Sequence, residues 1–285
     1  MDKEIKIPLE FNPGMEKYEP NIEKLQEHLH DEILIKKITS KRELSKLPEI
    51  DVKIAFNKFN KRILLDEEKI KLTRELLHKV FSSFTSSKLL SPKNKSEEWT
   101  LRKHLSTRER LPYYGEIYSK LLKGLGKRVS VIDLGAGING FSYDYFKKSG
   151  NDVDYIAIEG VGQLVDLMNA YFHKKQINGK AFHLSLFEID KIKELINKTK
   201  SPRVVFLFKT LDSLEMLGRD YSFKLIKEII SLTDKIVISF ATQSMIKKKK
   251  FNVNRKWIID FLKENFKITD DFEIGGERYI CLVKK

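Results

Sequence analysis

A glycine-rich turn follows a run of β-branched residues near the middle of the chain. The run VSVIDL leads into Gly135, Gly137 and Gly140, which have the spacing G-x-G-x-x-G, and Asp133 precedes the first glycine by two residues. Glycines in such a turn let the backbone approach a ligand closely, because no Cβ obstructs the approach. The pattern predicts a nucleotide-binding loop.

Two acids near this loop favour S-adenosylmethionine over a dinucleotide. A pyrophosphate is bound by amides at a helix N-terminus, where a carboxylate would compete with it. The methionyl group needs an acid or carbonyls near its ammonium and a cation near its carboxylate. Asp133 can serve the ammonium, and Glu159, at the end of the next apolar run, can accept hydrogen bonds from ribose hydroxyls. Asp133 as a simple turn cap and a NAD(P)-dependent oxidoreductase remain the alternatives.

Positive charge is concentrated in two short segments. The chain has 285 residues and a net charge of +14, and residues 101–128 and 247–256 each contribute +6. The first segment contains HLSTRERLP (104–112), in which two arginines flank Glu109. Such clusters attract a phosphate backbone, although an anionic membrane or plain solvent would also suit them. Nucleic acid is the partner that this distribution favours.

The remaining composition suggests where the protein works. The single cysteine, Cys281, cannot form an internal disulfide, which is typical of a reducing compartment. The chain has no apolar run as long as a membrane span, and its first residues lack the apolar core of a signal peptide. We therefore expect a cytoplasmic monomer that has no metal site and does not bind a membrane.

Apolar runs alternate with helical patterns after residue 110. Continuous apolar strands separated by helices are typical of a mostly parallel sheet that is covered on both faces. The last two runs are separated by Gly275-Gly276, which predicts a hairpin and antiparallel edge strands. We predict an α/β fold with the class I (Rossmann-like) S-adenosylmethionine-dependent methyltransferase sheet. Its helices are expected at 141–149, 162–175, 188–198, 215–231 and 254–264.

The first hundred residues have a different character. Residues 66–84 place apolar side chains at helical spacing behind an acidic first turn, and residues 21–37 repeat the pattern more weakly. Residues 91–99 have the composition of a loop or junction. We predict two domains, a mainly helical N-terminal domain over 1–98 that docks on RNA or the ribosome, and a class I methyltransferase domain over 99–285.

Several motifs in the C-terminal part resemble one methyltransferase family. HLSTRERLP, VIDLGAGIN, FLFKTLDSLE, VISFATQSM and EIGGERYICLVKK follow one another as in the aminoglycoside-resistance 16S rRNA (guanine-N7) methyltransferases. The resemblance covers residues 100–285, with a fainter similarity over 67–90. STRERLP and KTLxxLE are specific to this family, because neither is a general methyltransferase motif.

The resemblance implies roles for the residues around the loop. Arg110 corresponds to the arginine that binds the cofactor carboxylate, and Glu159 corresponds to the ribose-binding acid. Leu186 or Ser185 stands where the family has an acid facing the adenine amine, so backbone groups of Leu186 and Phe187 are expected to bind the adenine. Lys209 is the expected catalytic residue, which positions the target base. The expected cofactor-binding residues are His104, Arg110, Asp133, Gly135, Ala136, Gly137, Glu159, Leu186, Phe187 and Lys209.

A second set of residues is expected to contact RNA. Thr242 and Ser244 match a substrate-facing stretch of the family, in which Ala241 and Gln243 replace a proline and a lysine. Glu109 is expected to orient one of the neighbouring arginines. The expected RNA-binding residues are Arg108, Thr242, Gln243, Ser244, Lys247, Lys248, Lys249, Lys250 and Arg255.

The function that the resemblance implies is methyl transfer from S-adenosylmethionine to N7 of a guanine in the decoding region of 16S rRNA, with aminoglycoside resistance as a consequence. N7 has a free lone pair and no proton, so the reaction needs positioning and desolvation rather than a general base. The small ribosomal subunit is the implied partner. Two alternatives remain open: a methyltransferase for another RNA or ring nitrogen, and a catalytically silent cofactor-binding RNA or ribosome-assembly factor.

Overall fold

Seven strands form one sheet in the computed structural model, which describes residues 22–82, 86–90, 95–243 and 255–285. The strands are β1 (Arg128–Leu134), β2 (Asp152–Glu159), β3 (Gly179–His183), β4 (Arg203–Phe208), β5 (Lys235–Ala241), β6 (Lys267–Ile274) and β7 (Glu277–Val283). Their order across the sheet is β3-β2-β1-β4-β5-β7-β6. The first five pair in parallel, whereas β7 pairs antiparallel with both β5 and β6. The predicted class I methyltransferase sheet, with its final hairpin, is confirmed.

Helices cover both faces of this sheet and precede it. They are α1 (Ile22–Thr39), α2 (Glu49–Asn60), α3 (Asp66–Leu77), α4 (Glu97–Lys103), α5 (Leu105–Arg110), α6 (Tyr114–Leu121), α7 (Tyr143–Lys148), α8 (Gly162–Lys174), α9 (Ile189–Asn197), α10 (Leu211–Leu217), α11 (Tyr221–Ile230) and α12 (Lys256–Asn265). A π-helical turn, His78–Ser82, continues α3. No helix among the described residues is long and apolar enough to cross a bilayer.

The N-terminal helices share their apolar core with one face of the sheet. Val131, Ala157 and Phe206 on this face belong to the same buried cluster as Leu34 and Phe56 from α1 and α2. Burying this continuous surface is the main force that holds the helices against the sheet. The proposed division at residue 98 stays a prediction. A second buried cluster joins the other face to α9–α12.

Several elements differ from the sequence-based expectations, among them helices α2, α4, α5 and α6, which were not predicted. The helix predicted over 66–84 is regular only to Leu77 and then widens into the π-helical turn. The helix predicted over 215–231 is two helices, because the chain turns between them at Asp220, whose φ is 61°. Strand β3 was not predicted, since its sequence, GKAFH, contains no β-branched residue.

Candidate functional site

A cleft of about 860 Å³, measured with its open mouth, lies at the carboxyl ends of the central strands. Ligands of open α/β sheets bind at this edge. The glycine loop after β1 lines the cleft, as do Glu159 at the end of β2 and Lys209 after β4. Asp51 and Phe81 line it from the N-terminal helical region. All ten residues expected to bind the cofactor line this one cleft: His104, Arg110, Asp133, Gly135, Ala136, Gly137, Glu159, Leu186, Phe187 and Lys209.

Two glycines of the loop combine a positive φ with a lack of space for a Cβ. Gly135 has a φ of 75°, and a Cβ on it would lie 2.8 Å from Cγ2 of Thr210. Gly137 has a φ of 56°, and its Cβ would lie 2.8 Å from Nε2 of His104. Both positions therefore need glycine for the backbone conformation and for the space.

Glu159 is held by the backbone at the centre of the cleft. One carboxyl oxygen accepts a hydrogen bond from the Gly137 N–H (2.7 Å), and the other accepts one from the Val161 N–H (2.8 Å). Burial raises the pKa of Glu159, while these backbone hydrogen bonds act in the opposite direction. Each oxygen keeps a second lone pair, so the carboxyl can still accept hydrogen bonds from a diol.

Asn139 connects Asp133 to Arg110. Its side-chain amide donates to Oδ2 of Asp133 (2.7 Å), which also accepts from the Tyr155 hydroxyl (2.6 Å). Its carbonyl oxygen accepts from Nη1 of Arg110 (3.3 Å) and from the Tyr114 hydroxyl (2.8 Å). Burial raises the pKa of Asp133. Sequence reasoning missed Asn139, although it lies in the quoted glycine loop, where a short amide is a frequent turn residue.

A buried carboxylate, Glu277, joins the two cations of the cleft. Nε of Arg110 donates to its oxygens at 3.0 and 3.2 Å, and Nζ of Lys209 lies 3.1 Å from one of them. Burial alone would raise the pKa of Glu277, but the charges of Arg110 and Lys209 outweigh it and hold that pKa below its usual value. Sequence reasoning missed Glu277 because the hairpin that carries it, GGERY, shows only an ordinary charged surface pattern.

Glu109, which was expected to orient an arginine, instead accepts a hydrogen bond from Nζ of Lys209 at 2.6 Å. Arg110 and Glu109 are neighbours on a short helix, so they face different partners.

His104 is 7% exposed, and burial, together with the charges of Arg110 and Lys209, lowers its pKa to about 3. Its imidazole is therefore neutral at physiological pH.

We call Arg110, Asp133, Asn139 and Lys209, with Glu277 behind them, the charged end of the cleft. The apolar end consists of the apolar side chains of Val80, Phe81, Leu186 and Phe187, together with one buried acid, Asp51. Here the Ser185 hydroxyl donates to Oδ1 of Asp51, and the Phe187 N–H donates to the same hydroxyl at 3.0 Å. Burial, with smaller contributions from Glu159 and Glu188, raises the pKa of Asp51 to about 7.

The residues expected to contact RNA have different surroundings. Arg108 is exposed on α5. Thr242 donates to Glu273 (2.7 Å) after the end of β5. Arg255 donates to Asp212 and to the Ala241 carbonyl at 2.8 and 2.9 Å. Gln243 contacts the hairpin that joins β6 to β7, since a Cβ on Gly276 would overlap its side-chain amide. Ser244, Lys247, Lys248, Lys249 and Lys250 lie outside the described residues.

The basic segment 101–128 is divided by the fold. Its first part, with Arg102 and Arg108, belongs to the helices that border the cleft. Its second part leads through Lys123 and Lys127 to Arg128, where β1 begins. The amino end of a parallel strand lies at the edge opposite its carboxyl end, so this half of the charge faces away from the cleft.

Comparisons with known proteins identify the family and the fold. Residues 94–258 match the family model described as ribosomal RNA methyltransferase (FmrO). The 16S rRNA (guanine(1405)-N(7))-methyltransferases of Micromonospora echinospora and Micromonospora rosea are 27% and 26% identical to this chain over 147 residues. Those residues are 52% of this chain and 50% of each relative, so the chain spans about half the length of the relatives it matches.

Solved structures share the fold at lower sequence identity. The 16S rRNA methyltransferase RmtF, solved in complex with S-adenosyl-L-homocysteine, superposes with a TM-score of 0.71 at 18% identity, over 89% of this chain and 98% of RmtF. The 16S rRNA methylase RmtB gives a TM-score of 0.70 at 17% identity over the same shares. This likeness concerns the fold, whereas the family model matches more than half of the sequence. The chain belongs to the ribosomal RNA methyltransferase (FmrO) family.

Proposed function

We propose that this chain transfers a methyl group from S-adenosylmethionine to N7 of a guanine in 16S rRNA of the small ribosomal subunit. The observation that carries the proposal is that one cleft brings together the charged end, Glu159 and the apolar end. The Gly137 N–H of the glycine loop donates to Glu159, and the next residue, Gly160, lies beside Asp51. A molecule with a zwitterionic amino-acid group, a ribose and a planar base matches this order. The named relatives act on N7 of a 16S rRNA guanine, which supports the same target.

The residues of the cleft fit the cofactor. Arg110 would hold the methionyl carboxylate, Asp133 the ammonium and Glu159 the ribose hydroxyls. Gly135 and Gly137 let the loop lie against Thr210 and His104, which also line the cleft. When bound, S-adenosylmethionine supplies an electrophilic methyl group on its sulfonium.

The chain's own contribution to catalysis would be positioning and the exclusion of water. The lone pair of guanine N7 attacks without losing a proton, so proton transfer by a side chain is not required. The low pKa of His104 agrees with this, because a group with a pKa of about 3 is a poor base at neutral pH. Lys209, whose ammonium lies between Glu109 and Glu277, is the proposed positioning residue for the target base.

RNA would approach the same edge of the sheet. Arg108, Thr242, Gln243 and Arg255 are the described residues proposed to meet it, and the N-terminal helices would add docking surface. Phosphate contacts of this kind supply affinity rather than sequence recognition. We also propose that the protein acts as a monomer in the cytoplasm. The proposed methylation would confer aminoglycoside resistance.

The reaction can be tested on isolated small subunits. The protein is incubated with subunits and labelled S-adenosylmethionine, and the rRNA is then treated with borohydride and aniline. N7-methylguanine makes the strand break at the modified nucleotide, so we expect label in 16S rRNA and one new cleavage. Labelled rRNA that does not break would contradict the N7 target, and unlabelled rRNA with tight cofactor binding would favour a silent assembly factor.

The RNA surface can be tested with a matched pair of variants. Arg108→Gln removes one positive charge beside the cleft, and Lys127→Gln removes one at the opposite edge. We expect only Arg108→Gln to weaken subunit binding and to reduce its salt dependence, because each lost phosphate contact lowers the salt slope by about one unit. Equal effects of the two variants would contradict docking at the cleft edge.

A further inference from the structure

The apolar end of the cleft contains a buried acid that the proposed reaction does not use. Asp51 lies on α2, in the N-terminal helical region, and is 2% exposed. Around it the cleft is lined by the apolar side chains of Val80, Phe81, Leu186 and Phe187. Such surroundings suit the faces of a planar ring, and a buried carboxyl among them requires a polar partner.

The structure fixes the direction of the Asp51 carboxyl. The Ser185 hydroxyl donates to Oδ1, and its oxygen in turn accepts the Phe187 N–H at 3.0 Å, so this hydroxyl has a defined orientation. The second oxygen, Oδ2, would lie 3.6 Å from a Cβ on Gly160, the residue after Glu159. The carboxyl therefore sits beside the ribose-binding position.

The neighbouring backbone groups are less suited to reading the edge of a base. The Phe187 N–H is already donated to Ser185, and the Leu186 carbonyl accepts the Tyr221 hydroxyl at 2.8 Å. The expected adenine contacts were backbone groups of Leu186 and Phe187, and these two hydrogen bonds engage one such group in each residue. Asp51 lines the cleft, and among the described residues only its Oδ1 is engaged, so Oδ2 is available as an acceptor.

We propose that Asp51 accepts a hydrogen bond from the exocyclic amine of the cofactor's adenine and thereby determines which base the cleft takes. The inference rests on the proposed function, because it assumes that the cleft binds S-adenosylmethionine. It also means that the N-terminal helical region contributes a specificity-determining residue to the cofactor site.

The chemistry of the acid agrees with this role. The raised pKa of Asp51, about 7, means that both protonation states occur near neutral pH. The carboxylate accepts from the amine through Oδ2, while Oδ1 stays with the Ser185 hydroxyl. A purine without the amine would leave the buried Asp51 oxygen unpaired. The free-energy cost of that unpaired group is larger than the net gain from an ordinary hydrogen bond.

Calorimetry with two ligands tests the proposal. S-adenosylhomocysteine is compared with its 6-deamino analogue, in which hydrogen replaces the adenine amine, on the wild type, Asp51→Ala and Asp51→Asn. We expect the wild type to prefer the amine by about 10-fold or more, the scale of a hydrogen bond to a charged group. Asp51→Ala should show no preference, and Asp51→Asn, which keeps a neutral acceptor, should fall between.

The control variant is Glu188→Gln. It removes a carboxylate that acts on Asp51 but does not line the cleft, and it should keep the wild-type preference. A preference that survives in Asp51→Ala would overturn the proposal, as would a wild type with no preference. If Asp51→Ala does not fold, a wild-type preference kept in full by the isosteric Asp51→Asn would overturn it. Failure of the wild type to bind either ligand would instead overturn the proposed function.

Discussion

The two ends of the cleft bury carboxyl groups in opposite ways. At the charged end Glu277 lies against Arg110 and Lys209, and its pKa is lowered. At the apolar end the charges acting on Asp51 are the carboxylates Glu159 and Glu188, and its pKa is raised to about 7. Burial raises the pKa at both places; at Glu277 the neighbouring cations outweigh it, whereas at Asp51 burial prevails and the two carboxylates add to it.

The largest loss of stability is expected when Glu277 is removed from the charged end. Glu277→Ala leaves the buried cations Arg110 and Lys209 without their shared carboxylate. We expect the free energy of unfolding to fall by about 3–5 kcal/mol, because an uncompensated buried charge is costly. Denaturant unfolding followed by circular dichroism measures this loss.

Glu273→Ala is the control for that experiment. Glu273 lies on the adjoining strand of the same hairpin and is exposed, so its replacement should change stability by no more than about 0.5 kcal/mol. Equal losses in the two variants would mean that Glu277 does not compensate the two cations.

The apolar end should make the free energy of unfolding depend on pH. The pKa of Asp51 is about 7 in the folded state against 3.8 for a solvated aspartate, so the unfolded chain releases this proton first as pH rises. Asp51 therefore lowers the free energy of unfolding between about pH 4 and pH 7, by an amount on the order of 4 kcal/mol, and no further above that range. Asp51→Asn should remove this part of the decline, as measured by denaturant unfolding across the range.

Asp166→Asn serves as the matched control, since this carboxyl is 66% exposed. Asp133 and Glu159 also have raised pKa values, so the Asp51→Asn protein keeps some of the decline. A pH profile of Asp51→Asn parallel to that of the wild type would show that Asp51 titrates normally.

The smallest loss of stability is expected in the glycine loop after β1. Gly135→Ala and Gly150→Ala both introduce a Cβ at positive φ, at 75° and 86°, but only Gly135 meets another residue, Thr210. We expect Gly150→Ala to cost about 1 kcal/mol from the backbone conformation, and Gly135→Ala to cost about 1 kcal/mol more from the contact. Thermal unfolding compares the two, and equal shifts would rule out the steric contribution.

The two ends also differ in how well sequence predicts them. Arg110, Asp133 and Lys209 at the charged end lie in motifs whose residue types and order are specific, so their convergence could be expected. Asp51 is one acid in an unremarkable amphipathic segment, and only packing of α2 against the sheet brings it to the cleft. A local sequence pattern cannot predict the hydrogen bond between Asp51 and Ser185, because the two residues are 134 positions apart in the chain.

Glu277 illustrates the same limit and adds a consequence for synthesis of the chain. It pairs with Arg110 across 167 residues, from the start of the last strand to the segment before the first. A ribosome-bound chain that has not yet emerged as far as residue 277 has Arg110 and Lys209 but lacks the carboxylate between them. The charged end is therefore completed only when the final hairpin joins the sheet, and fragments that end before it should be unable to assemble this site during translation.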